Sequence, residues 1–327
     1  MIFIMKVYLR APGECWVVDR FVDEWKEANS HLNCENIQDC DVVWIISDWS
    51  WNQLPLEVLR TKRVITTIHH LVPSKFGERE FADFAARDAI TDAYHVPCQK
   101  TAVQVSDLHF RLRPPDAKVP ITSQPFWINE VFWERPSGTS KFDVRKRLGL
   151  PLEGFFVASM QRDTEGLDLV SPKLEKGPDI FCDAVIALRE KYPTLRVLLG
   201  GWRRQYVIKR LMAANIPFTY LERPSLSVVK EMYLASDLYV VGSRYEGGPQ
   251  AIPECASLGV PIISTDVGCA YEMLSRDVIF NPLDPMSITL ASCAAQTGYA
   301  KSYAQNRASR YFTKPSWPVF ERILRGS

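Results

Sequence analysis

The sequence lacks the patterns of several common protein classes. None of its eight cysteines forms a C-x-x-C pair or stands at ligand spacing from a histidine, which argues against a zinc site or a redox motif and favours reduced thiols. There is no G-x-G-x-x-G after the first apolar run and no G-x-x-x-x-G-K-[ST] anywhere. These absences disfavour a dinucleotide dehydrogenase and a P-loop NTPase.

Long apolar runs and an excess of charge of one sign are also missing. The apolar start, Met1 to Arg10, is interrupted by Lys6 and is too short for a signal-peptide core, and the run Val42–Ile46 cannot span a bilayer. We therefore expect a cytoplasmic protein, with peripheral contact at the inner face of the membrane as an open alternative. The formal net charge of +1 gives no reason to expect nucleic acid as a partner.

The charge is unevenly distributed along the chain. Residues 1–130 carry 14 Lys and Arg against 18 Asp and Glu, whereas residues 131–327 carry 25 against 20. An anionic ligand is therefore expected mainly in the second half. The length of 327 residues and the apolar content of 46% are enough for two hydrophobic cores.

Short apolar runs rich in β-branched residues alternate with longer segments of helical periodicity, in both halves of the chain. This order is typical of βαβ units around a parallel sheet. It predicts two doubly wound α/β domains, separated by a proline-rich exit and hinge at 113–137. The predicted strands are 5–9, 41–46, 63–68, 93–96, 155–160, 195–199, 218–221, 238–242, 261–264 and 278–280.

The strongest signal for a ligand lies in the segment Ser243–Gly268. A strand ends there, Gly247 and Gly248 follow, and Pro249 is predicted to open a helix. The glycines let the backbone approach a ligand closely, and proline suits the first helical position. The free N–H groups at this helix N-terminus suit a phosphate.

Two carboxylates, Glu246 and Glu254, flank that phosphate position. A carboxylate beside an anion turns towards neutral hydroxyl donors. From Pro249 to Glu254 a helix rises roughly 7–8 Å, which is about the span of a sugar–diphosphate–ribose arrangement. We therefore expect Glu246 to face a sugar and Glu254 a ribose.

The spacing of these two residues resembles the E-x7-E motif of retaining glycosyltransferases of the GT-B fold, in particular family 4. In that family the first Glu contacts the donor sugar and the second the ribose, which implies the same roles for Glu246 and Glu254. The resemblance implies two Rossmann-like domains facing a cleft. Residues 1–135 would form the acceptor side, joined by the terminal helix 315–327, and residues 136–314 the nucleotide-sugar side.

The resemblance extends to the opening βα unit of the second domain, where the family holds the diphosphate with an Arg and a Lys. By position these are Arg162 and Lys176. A loop of 13 residues separates them, longer than is usual in the family, so Lys173 competes for the lysine role. In the first domain, the strand that ends in the family's active-site histidine matches His69, with His70 as the alternative.

Two further positions, Gly13 and Arg223, follow from the same resemblance, and a basic cluster is interpreted from its composition. Gly13 lies where family members often place a glycine loop next to the donor phosphates, although a turn glycine is the alternative. Arg223 belongs to the loop beside the nucleotide base, which leaves the base unidentified. The cluster Trp202–Arg204 fits a solvated helix face better than a contact with lipid or polyanion.

The residues and the resemblance together predict a retaining, metal-independent glycosyltransferase, a hexosyl- or deoxyhexosyltransferase, that moves a sugar from a nucleotide-sugar to a glycan, lipid or other hydroxyl acceptor. No D-x-D pair follows a predicted strand, so no metal or other cofactor is expected. The resemblance implies front-face attack, in which the leaving phosphate takes the proton. A sugar-nucleotide epimerase of similar build and a non-catalytic nucleotide-sugar-binding subunit of a transferase complex are the alternatives.

Overall fold

The computed structural model of the chain describes residues 5–113, 117, 119–166 and 168–326. Its strands are β1 Val7–Leu9, β2 Asn33–Cys34, β3 Val42–Ile45, β4 Arg63–Thr67, β5 Ala93–Val96, β6 Ile121–Ser123, β7 Phe155–Met160, β8 Leu195–Gly201, β9 Phe218–Glu222, β10 Leu238–Val241 and β11 Ile262–Ser264. Its helices are α1 Val17–Ala28, α2 Leu56–Leu59, α3 Glu78–Asp88, α4 Gln99–Leu112, α5 Lys141–Arg147, α6 Pro178–Lys191, α7 Gln205–Ala213, α8 Leu226–Ala235, α9 Ala251–Leu258, α10 Ala270–Met273, α11 Pro285–Ala295, α12 Gly298–Ser309 and α13 Thr313–Arg325.

The chain divides into two compact units. Unit 1 comprises Met1–Phe126 and Lys314–Ser327, and unit 2 comprises Trp127–Thr313. The described strands of unit 1 form a parallel sheet in the order β2-β1-β3-β4-β5-β6. The connections reverse direction between β1 and β3, and open α/β sheets bind their ligands at such a switch point, at the carboxyl ends of the strands.

The core of unit 1 explains why its first helix and last helix form. All four residues of β3 are buried, as expected for a parallel strand covered by helices on both faces. Helix α1 buries a stripe with helical spacing that ends at Trp25. The Trp25 ring meets Trp44 of β3 and Trp317 of α13 edge to face, with centroids 5.3 and 5.6 Å away. Helix α13 therefore completes this core, although it lies far along the chain.

The sheet of unit 2 is also parallel, in the order β11-β10-β7-β8-β9. Its connections reverse between β7 and β10, which pair through Leu238–Val157 and Tyr239–Ala158. The loops that follow β7 and β10 therefore begin side by side. Two parallel-sheet α/β domains are thus confirmed.

Several predicted boundaries hold and others do not. The strands at 93–96 and 155–160 are confirmed residue for residue. The strand predicted at 278–280 is wrong: residues Arg276–Val278 form a 3-10 turn, and the segment meets β11 only in an isolated bridge. Part of the predicted hinge forms the edge strand β6, while residues 114–116 and 118 of that stretch lie outside the described residues. None of the described helices has the length and apolar character needed to cross a membrane.

Candidate functional site

A lysine and a glutamate from two loops meet at the switch point of unit 2. Lys176 ends the 3-10 turn Leu174–Lys176 in the loop after β7, and Glu246 lies in the loop after β10. The Lys176 Nζ lies 2.6 Å from Glu246 Oε1, and the two side chains are 22% and 16% exposed. Ser243 Oγ lies 3.4 Å from the same oxygen. The ion pair is partly desolvated yet still within reach of a ligand.

The backbones of these two loops fit together through glycine. Gly177 has a left-handed φ of +58°, and a Cβ at this position would lie 1.8 Å from the carbonyl oxygen of Gly242. The Glu175 carbonyl accepts hydrogen bonds from the amides of Arg244 and Tyr245, at 2.8 and 3.1 Å. Main-chain contacts therefore hold the two loops together independently of their side chains.

A second glycine supports the turn that contains Gly247. Gly268 has a φ of +50°, and a Cβ there would lie 2.3 Å from the Gly247 carbonyl oxygen. The helix after the turn begins at Ala251, so the prediction that Pro249 opens it is wrong. The Pro249 carbonyl instead accepts a hydrogen bond from Ile252, in an i to i+3 turn that precedes the α-helical pattern.

The second glutamate of the motif is buried. Glu254 lies in α9 and is 5% exposed, and its Oε2 accepts a hydrogen bond of 2.9 Å from the Tyr233 hydroxyl of α8. Burial raises the pKa of Tyr233 well above its ordinary value, and the Glu254 charge raises it further, so the phenol stays a donor. A carboxylate can accept several hydrogen bonds, so this arrangement suits Glu254 to orient ligand hydroxyls.

Three cations lie near the loop after β7. Lys173 Nζ is 3.4 Å from Glu175 Oε1. Burial lowers the pKa of Lys173, and the charges of Arg162 and Lys176 lower it as well. Lys173 is therefore close enough to Arg162 and Lys176 to be repelled by both charges. An anion at this place would relieve that repulsion.

A tryptophan lies among arginines at the carboxyl ends of three neighbouring strands. The Trp202 ring centroid lies 6.0 Å from the guanidinium carbon of Arg162, 5.4 Å from that of Arg203 and 4.5 Å from that of Arg223. These residues follow β7, β8 and β9 in turn. Such cation–π contacts hold the arginines over the indole face.

The prediction that the Trp202–Arg204 cluster is a solvated helix face is wrong for Arg204. Its Nε lies 2.8 Å from Asp163 Oδ1, and both side chains are fully buried. Arg204 also donates hydrogen bonds to the carbonyls of Ser159 and Gly200, which explains how its charge is accommodated. The Asp163 carbonyl also accepts a hydrogen bond of 2.6 Å from the Lys173 amide, and this main-chain bond joins the start of the loop to its later part.

In unit 1, the predicted histidine and glycine lie at the carboxyl ends of β4 and β1. His69 Nε2 lies 2.8 Å from the Ile46 carbonyl oxygen and therefore donates to it, and its ring stacks on Phe126 with centroids 5.4 Å apart. His70, the alternative, is half-buried. The Gly13 amide donates to Asp19 Oδ1 at 2.8 Å. A place for Gly13 beside donor phosphates stays a prediction.

Sequence reasoning missed three residues of this arrangement in unit 2: Tyr233, Asp163 and Gly242. Tyr233 stands 21 positions before the glutamate it contacts, and no local pattern marks such a pair. The close approach of Gly242 to Gly177 was open to prediction, because a glycine at the end of a buried strand often marks close backbone contact. In the part of the chain that the structure describes, no group of three or more His, Cys, Asp or Glu could hold a metal ion.

Comparison with known sequences bears directly on this region. A family model described as "Glycosyl transferases group 1" matches residues 169–294. The lipopolysaccharide core biosynthesis mannosyltransferase LpsB of Rhizobium meliloti is 27% identical over 142 residues, which are 41% of this chain and 38% of LpsB. The D-inositol 3-phosphate glycosyltransferase of Salinispora arenicola is 29% identical over 194 residues, 53% of this chain and 41% of that protein. The chain thus spans less than half the length of these curated relatives.

Comparison with solved structures concerns the fold. Anabaena Alr3699/HepE, in complex with UDP and glucose, has a TM-score of 0.73 and 13% identity, covering 98% of this chain and 99% of its own. Both units have the parallel-sheet architecture of GT-B glycosyltransferase structures, and residues 169–294 match the family model. The predicted resemblance is confirmed at that level, and membership of family 4 stays a prediction.

Proposed function

We propose that the chain is a retaining, metal-independent glycosyltransferase that takes a sugar from a nucleotide-sugar and transfers it to a hydroxyl acceptor. The observation that supports the proposal most directly is the Lys176–Glu246 ion pair, 2.6 Å long, at the switch point of unit 2. The pair places a cation that can bind phosphate next to a carboxylate that can accept hydrogen bonds from sugar hydroxyls. Both residues lie within the stretch matched by the family model.

The cations of unit 2 suit the diphosphate of such a donor. The charges of Arg162 and Lys176 act on Lys173, and all three residues follow β7. The amides of the Gly247–Gly248 turn and the N-terminus of α9 add partial positive charge. As the bond from the sugar to the phosphate breaks, these groups stabilise the charge that develops on the departing diphosphate.

The two glutamates suit the neutral ends of the donor. Glu246, held by Lys176 and Ser243, accepts hydrogen bonds from hydroxyls of the transferred sugar. Glu254, held by Tyr233, accepts from the ribose hydroxyls. Each carboxylate is fixed by a protein donor, so little ordering is needed when the donor binds.

In this proposal the acceptor molecule binds to unit 1, next to His69. The acceptor oxygen forms a bond to the anomeric carbon while the bond from that carbon to the phosphate oxygen breaks. The proton of the acceptor hydroxyl passes to the leaving phosphate on the same face. Attack on the face that the phosphate leaves retains the anomeric configuration.

A donor screen tests the proposal. The full chain should be stabilised against heat by one or more of the UDP-, GDP-, ADP- and dTDP-sugars in the presence of EDTA, and should release the nucleotide when a glycoside or lipid acceptor is added. Proton NMR of the product should show the donor's anomeric configuration. Glu246→Gln should abolish most of the transfer, while Glu190→Gln, an exposed glutamate at the end of α6, should not.

The same screen separates the alternatives. Donor binding without transfer or hydrolysis in every combination would favour a non-catalytic binding subunit. Conversion of the nucleotide-sugar to its epimer without any acceptor would favour an epimerase. Inverted product, or activity that EDTA removes, would contradict the retaining or the metal-independent part of the proposal.

A further inference from the structure

We propose that the carboxyl edge of the unit 1 sheet binds a carbohydrate ring on the exposed face of Trp49, with Glu14 and His69 placed to bind its hydroxyl groups. This inference rests on the proposed function and names the chemical class of the acceptor as a sugar residue of a glycan.

The location is the switch point of unit 1. Trp49 lies in the 3-10 turn Asp48–Gln53 that follows β3, and Glu14 lies in the loop that follows β1. The indole Nε1 of Trp49 donates a hydrogen bond of 2.9 Å to Glu14 Oε1. This bond joins the two loops at the point where the connections of the sheet diverge, which is where open α/β sheets bind ligands.

The exposure of Trp49 is unlike that of the core tryptophans of the same unit. Trp49 is 47% exposed, whereas Trp25 and Trp44 are 0% and 2% exposed. A pyranose ring presents C–H groups on its faces and hydroxyls around its rim. The C–H groups carry partial positive charge and are attracted to the negative face of an indole. An oriented, exposed indole with polar groups at its edge matches both parts of such a ring.

Neighbouring helix α3 holds this turn in place. Arg87, which is 4% exposed, donates a hydrogen bond of 3.1 Å to the Asp48 carbonyl and lies 3.5 Å from the Asp48 carboxylate. The Trp51 indole N–H donates to Asp83 Oδ1 at 2.9 Å. The turn is therefore fixed on both sides of Trp49. A preformed platform binds without the cost of ordering a loop.

The polar groups around Trp49 favour a neutral ligand that donates hydrogen bonds. The Glu14 carboxylate is an acceptor, and the His69 ring centroid lies 5.4 Å from that of Trp49. Because His69 Nε2 donates to the Ile46 carbonyl, a neutral ring has its acceptor nitrogen at Nδ1. Asp19 engages the nearby Gly13 amide, and a phosphate would be repelled by these carboxylates. The chemistry therefore favours sugar hydroxyls over a phosphorylated lipid head group.

Binding to simple sugars tests the inference on the full chain. We would record saturation-transfer NMR with methyl α- and β-glycosides of glucose, galactose, mannose and N-acetylglucosamine, and with maltotriose and cellotriose. At least one probe should bind, and Trp49→Ala should weaken its affinity about tenfold, because ring stacking is lost. Trp49→Phe should retain most of the affinity. Phe110→Ala, which removes a ring 57% exposed on α4, is the matched control and should change nothing.

Two kinds of binding result would overturn the inference. One is that no probe binds the wild-type chain at millimolar concentration, or that Trp49→Ala binds as well as wild type. The other is Trp49-dependent binding to phosphatidylcholine–phosphatidylglycerol vesicles without any glycoside binding, since Trp49 would then be a membrane contact.

A different measurement would contradict the proposed function, namely the finding that no nucleotide-sugar binds to the chain or is turned over by it. Glycoside binding at Trp49 would still be seen in that case. Where transfer does occur, Trp49→Ala should raise the acceptor KM about tenfold and should change the donor KM much less. An unchanged acceptor KM would overturn the inference and leave the proposed function standing.

Discussion

Lys176 and Glu246 stand 70 positions apart in the sequence, yet their Nζ and Oε1 atoms lie 2.6 Å apart. The contact exists because β7 and β10 are neighbours in the sheet of unit 2 and because the loops that follow them cross at Gly177 and Gly242. A partly desolvated ion pair of this kind holds each side chain in a defined position. In the proposed function, each partner positions the other for the donor.

Removal of either partner should therefore damage catalysis by similar amounts. Lys176→Met and Glu246→Gln should each lower kcat/KM by an amount equal to about 2–4 kcal/mol of transition-state stabilisation. The double variant should lose much less than the sum of the two, because the residues act together. Steady-state kinetics of the four proteins measures this, with Lys209→Met on the exposed side of α7 as the control. Additive losses would show that the two residues act independently.

The hydroxyl of Tyr233 should matter to stability and to donor binding. Tyr233→Phe leaves the buried Glu254 without this donor, which should lower the free energy of unfolding by about 1–3 kcal/mol. The donor KM should rise several-fold because Glu254 is less well oriented. Urea denaturation and kinetics measure the two effects. Tyr299→Phe alters a hydroxyl on a residue that is 65% exposed and should leave both quantities unchanged. If Tyr233→Phe were as stable as the wild type and had the same donor KM, Tyr233 would not be part of the site.

Two glycines with similar φ angles should lose very different amounts of unfolding free energy when each is replaced by alanine. Gly177 and Gly138 have φ values of +58° and +73°, but a Cβ would clash with the Gly242 carbonyl only at Gly177, and would meet nothing within 4 Å at Gly138. Gly138→Ala should cost about 1 kcal/mol of unfolding free energy, whereas Gly177→Ala should cost about 2–5 kcal/mol. Chemical denaturation measures both. Equal losses would mean that the positive φ alone sets the requirement for glycine.

His95 should make unit 1 less stable in acid. Its Nε2 donates to the Gln124 carbonyl at 2.7 Å, its Nδ1 lies 3.0 Å from the Thr67 hydroxyl, and burial lowers its pKa to about 3. Between pH 6.5 and 3 the unfolded state binds a proton that the folded state does not. The free energy of unfolding should therefore fall as the pH falls through that window, by up to about 1.4 kcal/mol per pH unit.

Urea denaturation at pH 7.0, 5.5 and 4.5, followed by tryptophan fluorescence, measures that dependence. His95→Gln keeps a neutral polar group at the position and should show a weaker dependence over the same window. Trp44 reports on the site, because its ring centroid lies 6.3 Å from that of His95. An identical pH dependence in both proteins would contradict the assignment to His95.

The sequence was sufficient to predict the fold class and the loop pair that carries Lys176 and Glu246. The fold class follows from the periodicity of buried β-branched runs, which mark parallel strands, and the glycine pair marks the loop that carries Glu246. Lys176 was assigned from the resemblance to family 4, by its position after the first strand of the second domain. The edge strand β6 was not predicted, because its three residues lie in a proline-rich stretch whose local preference is for a loop. Only pairing with β5 makes it a strand.

The burial of charged groups was the part that the sequence could not supply. The sequence neighbours of Arg204, Trp202 and Arg203, indicate a basic surface, yet the Arg204 side chain is fully buried against Asp163. The two residues are separated along the chain by α6 and β8, and they meet because the strands that precede them, β7 and β8, are neighbours in the sheet. The exposed ring of Trp49 was missed for a related reason, since a tryptophan after a strand is indistinguishable from a core residue until its exposure is known.

The participation of α13 in unit 1 bears on the order in which the protein is assembled during translation. The rings of Trp25 and Trp44 stay incompletely covered until Trp317 and Phe320 have left the ribosome, because these residues supply one wall of their environment. Unit 2, which is contiguous, can finish folding first, although multidomain chains usually fold from the N-terminus. Nascent chains stalled before residue 314 should therefore expose an aromatic surface on the N-terminal half, and that half is where chaperones would be needed.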